Sequence, residues 1–190
     1  RYGFFTFNDN AGASLKYSIK NMSPVVSTNP SVAVSKAQAD SNFSDFKTKV
    51  SAIVPSNRTP LAESYYEISR YFRGLTSFQG SPSTTYTSPI QYRCQKNFGI
   101  VVTDGLPTYD RTFPTSKTVD PLYVSGKMPN WDGKANDGAD LNGDDEGDTL
   151  YLDDMAKFVY DIDLKDTTAV DMANKSYNDV AFPKQNMSTY

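Results

Sequence analysis

The residues best suited to chemistry in this sequence are oxygen donors. Asp104 follows the run Asn97-Phe98-Gly99-Ile100-Val101-Val102-Thr103 and precedes Gly105-Leu106-Pro107-Thr108. Five of the six residues from Phe98 to Thr103 are apolar or β-branched, and the flanking Asp-Gly and Pro bound the run, so it reads as a strand buried on both faces. Such strands belong to parallel sheets covered by helices. Ligands collect beyond the carboxyl ends of those strands, which makes Asp104 a candidate ligand for a metal ion or substrate. Asp-Gly is equally the signature of a tight turn, and this stretch alone does not separate the two readings.

Thr59 offers a hydroxyl. A Thr oxygen beside an Asp oxygen is half of a site for Mg²⁺, which takes oxygen ligands in octahedral geometry. Taken alone, Thr59 fits a helix N-cap better than a ligand. A second donor set lies in Asp140-Leu141-Asn142-Gly143-Asp144-Asp145-Glu146-Gly147-Asp148, where the first, third, fifth and ninth residues are Asp140, Asn142, Asp144 and Asp148. Alternate residues of a tight, Gly-bearing loop point inward and can converge on one Ca²⁺. The loop departs from the EF-hand pattern, with Asp145 where the invariant Gly belongs and Tyr151 where a bidentate Glu belongs. Seven carboxylates between Asp132 and Asp148 repel one another without a counterion, which favours calcium over a merely solvated acidic loop.

Composition removes several classes of function. The chain contains no His, which excludes Ser-His-Asp and Cys-His nucleophilic devices and His-ligated zinc. A net charge of -3 without a basic cluster argues against nucleic acid and anionic membrane surfaces as partners. No window approaches the roughly 20 apolar residues of a membrane span. The 190 residues suit one domain or part of a larger one. Although the hydrophobic fraction is only 38%, 13 Tyr and 11 Phe supply large apolar surfaces. The chain opens at Arg1 inside a strand-like pattern, which reads as a processed product or an excised piece. Cys94 is the single cysteine; it reads as a small buried hydrophobe, or as half of a disulfide completed outside these residues.

These donors must be positioned by a small set of elements. Arg1–Asn8 and Ser14–Ile19 read as an antiparallel edge hairpin joined by Asn8-Asp9-Asn10-Ala11-Gly12. Ser23–Ser41 reads as a surface connection. Phe43, Phe46, Val50 and Ile53 fall on one helical face, ended by Pro55. A second helix has Thr59 as N-cap, Pro60 at its first position, the stripe Leu61, Tyr65, Ile68 and Phe72, and Gly74 as its stop. Thr76–Tyr92 is expected to be an exposed excursion. Residues 106 to about 147 form a long insertion of the length usually kept for function or held by metal. A third helix resumes at Thr149, with Asp148 as N-cap and Leu152, Met155, Val159 and Ile162 along one side. Met187–Tyr190 reads as the beginning of another strand.

Several of these stretches together resemble a von Willebrand factor type A domain, and more narrowly the amino-terminal domain of PilC/PilY-type type IV pilus-tip adhesins. Arg1-Tyr2-Gly3-Phe4-Phe5-Thr6-Phe7-Asn8 is similar to the second strand of that fold. Arg58-Thr59-Pro60-Leu61 followed by Tyr71-Phe72-Arg73-Gly74 resembles the loop and helix that carry the family's threonine ligand. The most specific likeness runs from Ser88-Pro89-Ile90-Gln91-Tyr92-Arg93-Cys94-Gln95-Lys96-Asn97-Phe98 into Val102-Thr103-Asp104-Gly105-Leu106-Pro107-Thr108. Asp148-Thr149-Leu150 with Ala156-Lys157-Phe158-Val159-Tyr160 and Asp163-Leu164 resembles the helix after the family's acidic loop. Gln185-Asn186-Met187-Ser188-Thr189-Tyr190 resembles the start of the next strand.

The resemblance implies a metal-ion-dependent adhesion site that holds Mg²⁺ or Mn²⁺ with Thr59 and Asp104 among its ligands. It implies extracellular display at a pilus tip after export through the periplasm, a host-cell or surface receptor, and minor pilins as assembly partners. The Asp-x-Ser-x-Ser motif that supplies the family's other ligands is absent from these residues, Asn186 stands where the family carries His, and Cys94 stands where it carries a cysteine whose partner would lie outside the chain. The expectation is therefore an α/β, three-layer, Rossmann-like domain over 1–190. Its sheet is mostly parallel with an antiparallel edge hairpin, and it is incomplete at both ends. The expected function is non-enzymatic adhesion and pilus biogenesis. A structural or force-transmitting role in pilus assembly is the main alternative. An aspartate-nucleophile phosphatase is disfavoured because position 106 is Leu where the second carboxylate would act as acid-base partner.

Overall fold

A computed structural model describes residues 1–190 except Asn10, Ser56, Asn57, Ser81, Asn136, Asp144, Asp145 and Glu146. Its elements run in the order β1 (Tyr2–Phe7), β2 (Ala13–Lys20), α1 (Lys36–Ser51), α2 (Leu61–Arg73), β3 (Asn97–Gly99), α3 (Tyr151–Asp161) and β4 (Met187–Thr189). β1 and β2 pair antiparallel, as the alternating pattern and the turn residues predict, with register shifts near Phe4. β3 and β4 pair parallel, Asn97 with Met187 and Gly99 with Thr189. The fold is thus mixed α/β, with an antiparallel hairpin and a parallel sheet of two strands.

α2 is the element on which the others converge: it packs on α3 and on both strands of the hairpin. All of its residues from Leu61 to Phe72 are buried except Ile68, which is partly buried. Gly74 closes it at φ 70, a left-handed C-cap that costs glycine little. Ala62, Tyr65, Tyr66 and Phe72 meet Met155, Phe158 and Val159 of α3 and Met187 of β4 in one buried cluster. Aromatic edges supply much of the packing, with the Trp131 and Phe158 rings 4.8 Å apart in a T-shaped contact.

Four expectations need correction. The Phe98–Thr103 run is not a strand buried on both faces: the strand covers only Asn97–Gly99, and Phe98, Ile100 and Val102 lie 56%, 71% and 83% exposed. Among the described residues its one strand neighbour is β4, and no helix covers the second face. α1 begins at Lys36 rather than near Phe43, because Ser35 caps it by accepting the Gln38 N–H. Its buried residues are Ala39 and Asn42, while Phe43, Val50 and Ile53 are exposed. Only Phe46 of the expected stripe meets aromatic partners, Phe4 and Tyr17. The segment 76–92 is not simply an excursion, since Tyr86 and Ile90 are buried. The long insertion buries Asp110, Phe113, Asp120 and Met128. Cys94 is exposed, which corrects the buried-hydrophobe reading and not the half-disulfide one.

Candidate functional site

Thr59 lies at the amino end of α2, where it meets Thr108 of the segment that follows Asp104. Thr59 was the expected N-cap, but no side chain within the helix caps it. The buried carboxylate of Asp110 does so from across the fold, accepting the N–H groups of Ala62 and Glu63 at 2.8 Å each. A carboxylate here satisfies orphan donors and meets the positive end of the helix dipole. The Thr59 hydroxyl is therefore released from the role that local sequence would give it.

Backbone bonds then align two loops. The Thr59 N–H donates to Thr108 Oγ1 at 2.9 Å, and the Thr108 N–H donates to the Thr59 carbonyl at 3.1 Å. This pairing places the Arg58-Thr59 loop beside the segment leading from Asp104 to Thr108. The Arg58 guanidinium stacks 3.3 Å from the Tyr109 ring centroid, a cation–π contact. Tyr109 adopts φ 55, a strained conformation for a bulky residue. Asp104 itself is exposed in a turn where the Gly105 N–H donates to Thr103 Oγ1 at 3.3 Å. The turn reading of Asp104-Gly105 is thus met in the structure, and the turn presents the carboxylate to solvent.

Buried carboxylates missed at the sequence level hold this rim together. Glu63 accepts N–H donors from Gly12 at 2.9 Å and Gln79 at 2.7 Å, and also from Thr112. Glu67 accepts from the Phe78 and Gln79 backbone and from the Tyr86 hydroxyl. Asp120 receives a bidentate pair from Arg73, both bonds 2.7 Å, and a hydroxyl from Tyr66. Burial pushes the Asp110 carboxyl up to about 7, against its two backbone donors and with the Glu63 charge adding to the rise. Burial likewise pushes Glu63 up. For Asp120 burial also opposes ionisation, yet Arg73 and the hydroxyl of Tyr66 hold its carboxyl below the usual range. The available signal was Glu63, Glu67 and Arg70 at helical spacing on a helix otherwise rich in aromatics: polar groups on a helix buried all round must find partners.

Three of the four residues of the expected calcium set, Asp140, Asn142 and Asp148, lie among the described residues. Asp144 lies outside the described residues. Asp140 Oδ1 accepts the N–H groups of Asn142 and Gly143, and its other oxygen approaches Arg111 at 3.8 Å. Asn142 is exposed whereas Asp148 is buried, so the two stand in different environments. Nor does Asp148 cap α3: the helix starts at Tyr151, and its cap position, Leu150, makes no side-chain cap bond. Among the described residues, the acidic ones whose oxygens converge are Asp132, Asp137 and Asp154. Asn186 donates from Nδ2 to the Tyr160 carbonyl at 2.9 Å, which ties the entry of β4 to the end of α3. No family model, no curated protein and no solved structure matches this chain.

Proposed function

We propose that this chain is part of a von Willebrand type A-like adhesion module of a type IV pilus tip, and that it binds its receptor through a divalent cation held by Thr59 and Asp104. The observation that carries this reading is the paired backbone of Thr59 and Thr108. It sets a hydroxyl with no capping duty next to the loop whose turn exposes Asp104. Mg²⁺ or Mn²⁺ suits that hard oxygen pair, with further ligands from outside these residues and one coordination position left for an acidic group of the receptor. The single strand neighbour of β3 and the exposed Phe98, Ile100 and Val102 support a three-layer sheet completed by a strand that is not among these residues. The cation links receptor and adhesin, and no bond of the receptor is made or broken.

The test is attachment of piliated cells to a receptor-bearing surface with and without Mg²⁺. Asp104→Ala, at an exposed turn, is expected to remove the Mg²⁺-dependent attachment while piliation and the melting temperature stay unchanged. Attachment equal to the parent would remove Asp104 from the mechanism and leave the force-transmitting role.

A further inference from the structure

The loop ahead of α3 gathers a second set of oxygens, independent of the adhesion reading. We propose that Asp132, Asp137 and Asp154 form a calcium site that clamps residues 130–134 and Asp137 to the first turn of α3.

One carboxylate oxygen from each of the three lies within 4.8 Å of the other two. Asp137 and Asp154 are only 6% and 0% exposed, and Oδ2 of each has no hydrogen-bond partner. A buried carboxylate oxygen without a donor is costly, and buried charges are found paired or bound to metal. The carboxylate of Asp154 is held in place because its Oδ1 accepts the Asp132 N–H at 2.7 Å. Asn130, in the same turn, donates from Nδ2 to the Lys134 carbonyl at 2.6 Å and keeps a buried Oδ1 without a partner.

The one cation in this group works from its rim. Lys134 Nζ meets Asp132 at 2.7 Å and Asp153 at 2.9 Å, with its side chain 64% exposed. Among the described residues no ion pair reaches Asp137 or Asp154. Two inner carboxylates thus lack the positive charge that the outer two share.

Calcium fits this deficit by size and by ligand type. It takes 6–8 oxygens at about 2.3–2.6 Å, so ligands on opposite sides stand roughly 4.6–5.2 Å apart, a span that matches three oxygens within 4.8 Å of one another. Mg²⁺ demands near-ideal octahedral geometry at about 2.0–2.1 Å and gives up water reluctantly, which suits a buried, loop-derived set less well. Three carboxylates and water form the calcium shell, and the partnerless Asn130 amide oxygen in the same loop is a further donor. The bound ion would also fix Trp131, whose indole packs on Phe158 and donates to Asp161 at 3.1 Å.

Trp131 is the only tryptophan in the chain and adjoins Asp132, so it reports on the site directly. Tb³⁺, a luminescent substitute for Ca²⁺, is titrated into the 190-residue chain with excitation at the red edge of the tryptophan band, where tyrosine does not absorb. Saturable emission is expected, displaced by Ca²⁺ at concentrations at least ten-fold below those of Mg²⁺, and Ca²⁺ should raise the melting temperature. Asp154→Asn and Asp137→Asn should each weaken Tb³⁺ binding at least ten-fold and abolish the calcium-dependent rise, while Asp45→Asn, on the exposed side of α1, leaves both intact. If Asp154→Asn does not fold, Asp137→Asn decides, because the backbone bond from Leu150 N–H to the Asp137 carbonyl survives that change. Absence of sensitised emission, emission that persists in Asp137→Asn, or equal displacement by Mg²⁺ would overturn the assignment.

Discussion

Replacing Asp110 by Ala removes the cap of α2 and with it the separation of capping from the Thr59 hydroxyl. Ala62 and Glu63 are fully buried, and their N–H groups both end on the Asp110 carboxylate, so the substitution leaves two donors in the interior without acceptors. Each buried unsatisfied donor costs about 1–3 kcal/mol. Losing an N-cap costs about 0.5–2 kcal/mol when measured as a whole. Against this stands relief from burying a carboxyl that the interior pushes up to about 7. Taking the low end for both donors, about 2 kcal/mol together, and subtracting part of that relief leaves a loss of roughly 1–2 kcal/mol. For a chain of this size that corresponds to a fall in melting temperature of about 2–8 °C. Thr59→Ala, which removes no cap bond, should change stability by less than about 0.5 kcal/mol. Both are read by thermal unfolding followed by circular dichroism at one pH and one calcium concentration. A loss for Thr59→Ala equal to that for Asp110→Ala would show that the threonine caps the helix, and the reasoning that frees its hydroxyl would fail.

Two further outcomes follow from the buried carboxylates. The folded-state pKa values of Asp110 and Glu63 lie above their ordinary values, so between about 4 and 7 the folded chain keeps protons that the unfolded chain has released. Their contribution to stability is therefore full at low pH and declines as pH rises toward 7. The urea midpoint, followed across this range at fixed calcium, should fall with rising pH less in Asp110→Ala than in the parent; parallel profiles would contradict that. Arg73→Met strips Asp120 of its bidentate partner and leaves Arg70 at 3.6 Å. The variant should lose roughly 3 kcal/mol, near the low end for breaking a buried pair, seen as a lower urea midpoint at unchanged slope; a change within error would show the pair to be dispensable.

What the sequence disclosed depended on whether local chemistry decided the outcome. The hairpin β1–β2 was legible because alternation and turn residues agree over a short span, and α2 because its apolar stripe ends on Gly74, which takes the left-handed conformation such a stop requires. The start of β4 at Met187 was legible for similar reasons. The limits of β3 were not, because a continuous apolar run does not reveal whether a second layer covers it. The start of α1 was hidden by polar residues from Lys36 to Asn42, which outweighed the signal of the Ser35 cap. The capping of α2 was illegible for a deeper reason: the donor at Ala62 and the acceptor at Asp110 are 48 residues apart. Only the folded chain brings them together. In the acidic stretch the sequence pointed to a cation and to Asp140, Asn142, Asp144 and Asp148. Among the described residues the acidic oxygens that meet are those of Asp132, Asp137 and Asp154; one of them is contributed by α3, which loop spacing alone does not reveal.

The adhesion reading stands most directly on where a hard divalent ion settles at the rim beside α2. Mn²⁺ added to the isotopically labelled chain, with Ca²⁺ saturating any calcium site, should broaden the amide resonances of Thr59, Asp104 and Gly105 before those of the hairpin and α1. Asp104→Ala should abolish that selective broadening. Broadening confined to residues around Asp132 and Asp154, with Thr59 and Asp104 untouched, would contradict the proposed adhesive site.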